Sequence, residues 1–207
     1  MSADPPPFGP RKPPFCLVVS GPSGVGKNAV CDGLLAKDAT LAYSVSATTR
    51  PPRSDEREGV DYHFWSEDRF RKEVDAGHFL ESAEVHGHLY GTPRGPVERW
   101  LGEGKTPLLN LDVQGGRSVK RLLPDAVLVF LSPPSLEELE RRLRTRNADT
   151  EAAIARRLRD AREELRAWVD YDYQVVNDAL RDAVEDVWGI LRAERARTAR
   201  VRAGAGN

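Results

Sequence analysis

Apolar positions along this chain switch repeatedly between a strand-like and a helix-like period. Residues 15–20 (FCLVVS) form a continuous apolar run, as in a strand buried on both faces. A Gly-rich turn follows, and apolar residues then recur at Val30, Leu34 and Leu35, which predicts a helix over 26–37. Residues 43–53 begin with alternation at Tyr43, Val45 and Ala47, then turn polar. A short strand is predicted over 61–65, and a helix after it with Glu67 and Asp68 in its first turn. That helix places Phe70 and Val74 inward and stops at Gly77. Residues 79–90 alternate like a strand broken at Gly87, and 94–104 suit a helix with Val97 and Leu101 inward.

The second half repeats the theme. Residues 106–113 (TPLLNLDV) read as a short buried strand, and Gly115 and Gly116 open a helix through Leu123. Residues 126–131 (AVLVFL) are the clearest buried strand. Ser135 and Glu138 match a capping box for a helix to about Arg144, and 145–150 interrupt it. A helix over 150–169 lines up Ile154, Leu158, Ala161, Leu165 and Trp168. A last strand, 173–176, precedes a closing helix, 178–196, through Leu180, Val184, Val187 and Leu191. Strands alternating with helices imply an α/β fold with a mostly parallel sheet covered on both faces. Ligands bind such sheets outside the carboxyl ends of the strands. The block 46–93 carries strand, helix and β pieces of its own and reads as an insertion. Residues 1–14 are Pro-rich and read as an extended or disordered arm, and 198–207 as a flexible tail.

Composition changes this picture little. At 207 residues one α/β domain with insertions is expected, and a net charge of −1 argues against bulk nucleic-acid binding. Cys16 and Cys31 fall in the first strand and helix, where small buried hydrophobes are expected; no disulfide framework or metal spacing exists. No signal peptide or membrane-spanning run is visible, so the cytoplasm is the expected location. Oligomeric state is not readable.

Chemistry enters at residues 20–28, SGPSGVGKN. The loop Gly21, Pro22, Ser23, Gly24, Val25, Gly26 and Lys27 fits G-x-x-x-x-G-K, in which converging backbone N–H groups cradle phosphates. Lys27 supplies a mobile charge for the outer phosphates of such a ligand. The pattern usually ends in Ser or Thr, whose hydroxyl meets Mg²⁺; here the residue is Asn28. Downstream, the stiff Pro51–Pro52 pair separates Arg50 from Arg53, two guanidinium forks suited to phosphate.

These pieces together resemble the guanylate kinase family. The resemblance runs from about Phe15 to Arg195 and rests on SGPSGVGK at 20–27, SVSATTRPPR at 44–53, EGVDYHF at 58–64, FLE at 79–81, YGTP at 90–93 and LDVQG at 111–115. It implies a P-loop NTPase-type core (15–45, 94–140 and 159–197), a small α+β GMP-binding insertion (46–93) and a helical lid (141–158). It implies transfer of the γ-phosphoryl group of ATP to GMP, with Mg²⁺. Arg50, Arg53, Tyr62 and Tyr90 would grip the GMP phosphate. Glu81 would read guanine, with Ser46 and Thr92 as hydroxyl partners and Asp112 as a second acid nearby. Arg146 and Arg157 match lid arginines that close over the transferring group. Asn110 replaces the acid that precedes Asp112 in the family pattern, so Asn28 and Asp112 are expected to reach the metal only through water. His63, His78, His86 and His88 have no catalytic role in this reading. Two alternatives stand beside it: another P-loop small-molecule kinase, and a guanylate-kinase-like binding module without catalysis. The intact Lys27 and loop glycines weigh against the second.

Overall fold

The structure, a computed structural model, describes residues 15–54, 56–85, 87–145, 151–197 and 200. The expectations for the 1–14 arm, for most of the 198–207 tail, for Arg146 and for His86 fall outside these residues.

A five-stranded, fully parallel sheet forms the core: β1 (Leu17–Ser20), β2 (Leu41–Tyr43), β7 (Thr106–Asn110), β8 (Val127–Ser132) and β9 (Tyr173–Val176), in the order β2-β7-β1-β8-β9. Its two faces are covered by different helices. Leu17 and Val19 of β1 and Val127, Val129 and Leu131 of β8 point into one core. Residues of α1 (Lys27–Lys37) and α7 (Leu180–Ala196) fill it, including Leu34, Val187 and Leu191. Cys16 and Val18, with Leu109 and Leu128, point the other way. They pack with Val97 of α3 (Arg94–Gly102) and Val119 of α4 (Val113–Leu122). This two-residue alternation, apolar on both sides, is why β1 and β8 read as unbroken hydrophobic runs.

The second sheet, order β4-β3-β6-β5, is mixed: β3 (Ala47–Thr48), β4 (His63–Phe64), β5 (Phe79–Val85) and β6 (His88–Pro93). β5 and β6 pair antiparallel, as do β3 and β6. α2 (Glu67–Asp75) packs on this sheet, capped by Ser66, whose side chain accepts from the Arg69 amide. Ala47, Phe70 and Phe79 make a small separate core, with the Phe70 and Phe79 rings stacked at 4.5 Å. Leu80 of β5 enters the core beneath α3 and α4, so the two sheets are joined by packing.

Four readings need correction. The alternation from Tyr43 to Ala47 is two strands, not one: β2 belongs to the core sheet and β3 to the insertion. Val74 is 40% exposed because α2 ends at Asp75 and only its Phe70 face meets the sheet. The long helix α6 stops at Leu165 (Glu151–Leu165), and 166–170 continue as a 3-10 turn that leaves Trp168 half exposed. Leu180, expected in the closing helix's buried stripe, is its exposed first residue. Ser135 does cap α5 (Leu136–Thr145) by accepting from the Glu138 amide, while the Glu138 carboxylate turns to Arg141 and Arg142. No helix among the described residues is long and apolar enough to cross a membrane.

Candidate active site

β1 ends at Ser20, and residues 21–26 turn directly into α1. Gly21 is irreplaceable by size alone: its φ is +141°, and a Cβ there would lie 2.2 Å from the Leu131 carbonyl oxygen. Gly26, φ +97°, leads into α1 with no side-chain cap and no acid in the helix's first turn. The first amides of α1 are therefore open to an anion. Buried Asn177 supports the loop from beneath by donating its Nδ2 to the Val25 carbonyl at 2.8 Å. Gly24 packs against Leu139 and Leu143 of α5, which leaves no room for a side chain. Pro22 and Val25 are buried under the loop, while Gly21, Ser23, Gly24, Gly26, Lys27 and Asn28 line a cavity of about 400 Å³. Lys27 folds its ammonium over the loop, donating to the carbonyls of Gly21 (2.6 Å) and Pro22 (3.2 Å).

The carboxyl end of β7 meets this loop. Asn110 Nδ2 donates to Asn28 Oδ1 at 2.8 Å. Asp112 caps α4, its Oδ1 accepting from the Gly115 amide at 2.7 Å. Glu164 of α6 lines the same cavity, and burial raises its pKa. Lys27 and a hydrogen bond from the Ser23 amide oppose that rise, while Asp112 and Asp160 add to it. No cluster of three His, Cys, Asp or Glu able to hold a metal occurs among the described residues. The polar side chains beside Lys27 are the two amides, the Asp112 carboxylate, engaged in capping a helix, and the Glu164 carboxylate, whose pKa burial raises. That donor set fits a hydrated Mg²⁺ carried by nucleotide phosphates rather than a resident ion held in a protein cage.

Across the cavity, the insertion presents a second cationic site. Arg50 is held on three sides: Nε donates to Tyr90 Oη (3.2 Å), one terminal nitrogen to the Pro51 carbonyl (2.8 Å) and the other to Glu56 (2.7 Å). Its guanidinium lies 5.5 Å from the Tyr62 ring centre. Glu56 also accepts from the Arg53 amide at 2.8 Å and lies 3.6 Å from that guanidinium. Burial alone would raise the Glu56 pKa, but the Arg50 and Arg53 contacts hold it below the usual carboxylate range.

Glu81 stands between these two sites and is 9% exposed. Burial pushes its pKa up to about 7; Thr92 opposes this, its hydroxyl donating to Oε1 at 2.6 Å, and Asp112 adds to it. Thr92 is fully buried and lies behind Glu81 rather than on the cavity wall, so it orients the carboxylate. Gly115 lets α4 approach closely, since a Cβ there would lie 3.2 Å from Glu81 Oε2. Ser46 and Tyr62 line the cavity with Arg50, Arg53 and Tyr90. From α6, Arg157 reaches it together with Arg156. Arg156, Glu56 and Glu164 were missed from sequence. Glu56 sits three residues after Arg53, a spacing that signals an arginine partner, whereas Glu164 and Arg156 look like members of a solvated Arg/Glu face.

A phosphate loop at the carboxyl edge of a parallel sheet, faced by a second cationic anion site, defines a P-loop kinase acting on a phosphorylated acceptor. The family model "Guanylate kinase" matches residues 14–194. A guanylate kinase of Symbiobacterium thermophilum is 47% identical over 92% of this chain and 91% of its own length. One of Thermus thermophilus is 51% identical over 89% and 84%. The crystal structure of guanylate kinase from Anaplasma phagocytophilum matches with a TM-score of 0.78 at 34% identity, covering 91% of this chain and 90% of its own. The chain belongs to the guanylate kinase family.

Proposed function

We propose that this chain moves the γ-phosphoryl group of Mg·ATP onto the phosphate of GMP, reversibly, giving ADP and GDP. One observation carries the reading: a single cavity joins a phosphate loop with Lys27, a separate arginine–tyrosine anion site and a buried carboxylate, Glu81. Two anion sites suit a donor and an acceptor, each bearing phosphate. Guanine offers N1–H and N2–H donors side by side, which one carboxylate accepts together; adenine lacks that pair.

In this reading the loop amides and Lys27 hold the ATP phosphates, and Arg50, Arg53, Tyr62 and Tyr90 hold the GMP phosphate. A GMP phosphate oxygen attacks the γ-phosphorus in line, and the bond from that phosphorus to the β,γ-bridging oxygen breaks, with ADP keeping the electron pair. No general base is required, because a phosphate monoester with a second pKa of about 6 is already ionised near neutrality. Arg157 and Arg146 stabilise the charge on the transferring group. Mg²⁺ bound to the nucleotide would neutralise phosphate charge, with Asn28 and Asp112 reaching its waters. A coupled ADP-release assay with GMP, AMP, CMP and UMP tests the proposal: only GMP, with dGMP beside it, should turn over efficiently. Equal rates with AMP would refute it.

A further inference from the structure

Two neutral amides occupy positions where phosphate-loop kinases commonly place a hydroxyl and a carboxylate for Mg²⁺. They are not independent departures. Asn28, the second residue of α1, and Asn110, the last residue of β7, are 82 positions apart and hydrogen-bonded at 2.8 Å. The bond ties the carboxyl end of β7 to the first turn of α1 beside Lys27, and both amides line the cavity.

The chemistry of the pair differs in kind from a hydroxyl–carboxylate pair. It carries no net charge. Asn28 already gives one lone pair of its side-chain oxygen to Asn110, which leaves a single neutral lone pair and an NH₂ group, a donor that repels a cation. Mg²⁺ binds hard oxygen ligands in tight octahedral geometry and gives up its waters reluctantly. A neutral acceptor already engaged elsewhere competes poorly for such an ion. Resting on the kinase reading above, we propose that Asn28 and Asn110 act as a positioning pair for metal-bound water. The chain then supplies no direct Mg²⁺ ligand, and its hold on the nucleotide is nearly independent of divalent cation.

The test uses the whole chain with ADP and two readouts that need no turnover. With Mn²⁺ as a spin probe, the enzyme-bound Mn·ADP complex should keep the same number of exchangeable waters as free Mn·ADP. In calorimetry, ADP affinity with and without Mg²⁺ should agree within about threefold, less than 1 kcal/mol. Asn110→Asp should restore charge at the pair and make ADP affinity Mg²⁺-dependent by roughly tenfold or more. Asn110→Ala, which stays neutral, should leave the water count unchanged, with thermal melting as the check that each variant folds. Loss of a water from Mn²⁺ in the wild type, or a tenfold Mg²⁺ dependence there, would overturn the proposal. ADP failing to bind under either condition would instead remove the kinase reading, and this proposal with it.

Discussion

At the phosphate loop, positive field comes from backbone amides and Lys27; across the cavity it comes from the side chains of Arg50 and Arg53, steadied by Glu56. The loop's shape is set by packing: Leu131 leaves no space above Gly21, Asn177 supports Val25, and α5 closes on Gly24. It tolerates almost no added atoms, and among the described residues only its Ser23 amide is tied to a carboxylate, that of Glu164. The arginine site has the opposite character. Its guanidiniums sit at the ends of long side chains, and their geometry is borrowed from one carboxylate, two tyrosines and a proline-stiffened turn. A rigid backbone site suits a group common to every nucleoside triphosphate. An adjustable side-chain site suits an acceptor that must also be recognised by its base.

The largest effect that separates the two sites is base discrimination. The acceptor side, with Glu81 in place, should favour GMP over AMP in kcat/KM by roughly 10⁴-fold, as sites built to hydrogen-bond a substrate do. Parity between the two acceptors in steady-state kinetics would erase the distinction. Next, Lys27→Met should lower kcat by about 10³-fold, the scale of losing one donor to transition-state charge. GMP affinity measured by calorimetry should stay at the wild-type level if Lys27 serves the other site, as proposed. A variant that lost GMP binding and kept turnover would reverse the assignment.

Glu56→Gln tests the borrowed geometry. It weakens the tie to Arg50 and sets an NH₂ group against the Arg53 amide, so KM for GMP should rise about 10-fold or more, the usual cost of losing a hydrogen bond to a charged partner. KM for ATP should not move; a shared rise would show that the two sites are not separable. A pH titration comes next. Glu81 has a pKa of about 7 in the folded chain, so the ionised acceptor that guanine needs is present above that value. GMP affinity should fall as pH drops through 7, and more steeply below about 6 where the GMP phosphate itself takes up a proton, while ADP affinity should lack the step at Glu81 and change only with its own phosphate. Because the folded pKa lies above the ordinary 4.5, the same group favours folding fully at low pH. That contribution fades as pH rises from 4.5 through 7. The smallest effect belongs to Thr92→Val. Removing the hydroxyl that donates to Glu81 takes away a contact favouring the ionised form, so the GMP-binding midpoint should move to higher pH, by less than about one unit. A midpoint that moved down would mean Thr92 does not act through Glu81.

Sequence carried the phosphate loop because its parts are contiguous: strand, glycines, lysine and helix fall within residues 15–37. It carried Arg50 and Arg53 because prolines lock their relative position. It did not carry what depends on distant segments meeting. Thr92 reads as a hydroxyl for the base, and the β5–β6 register, not legible in sequence, sets it directly beside Glu81, to which its hydroxyl donates. Glu164 lies among so many Arg and Glu residues that only the packing of α6 distinguishes it. The Asn28–Asn110 contact joins positions 82 apart, and neither residue's local pattern announces the other. β2 was hidden because three residues of edge strand run straight into β3 with no turn signal between the two sheets.

The pairing of β1 bears on how the chain is assembled during synthesis. Its partners are β7 and β8, with Val18 facing Leu109 on one side and Leu128 on the other. The segment that becomes the nucleotide loop leaves the ribosome early, but it has no neighbour to pair with until residues beyond 106 have followed. The insertion differs: β5 and β6 are adjacent in sequence and pair antiparallel, a local and fast contact. The acceptor half is thus poised to form first, and the strand that carries the donor loop waits as an unpaired apolar run, the state most exposed to aggregation and to chaperones. Pulse-labelled hydrogen exchange during refolding should therefore protect β5 and β6 before β1, although β1 is the more deeply buried strand in the finished molecule.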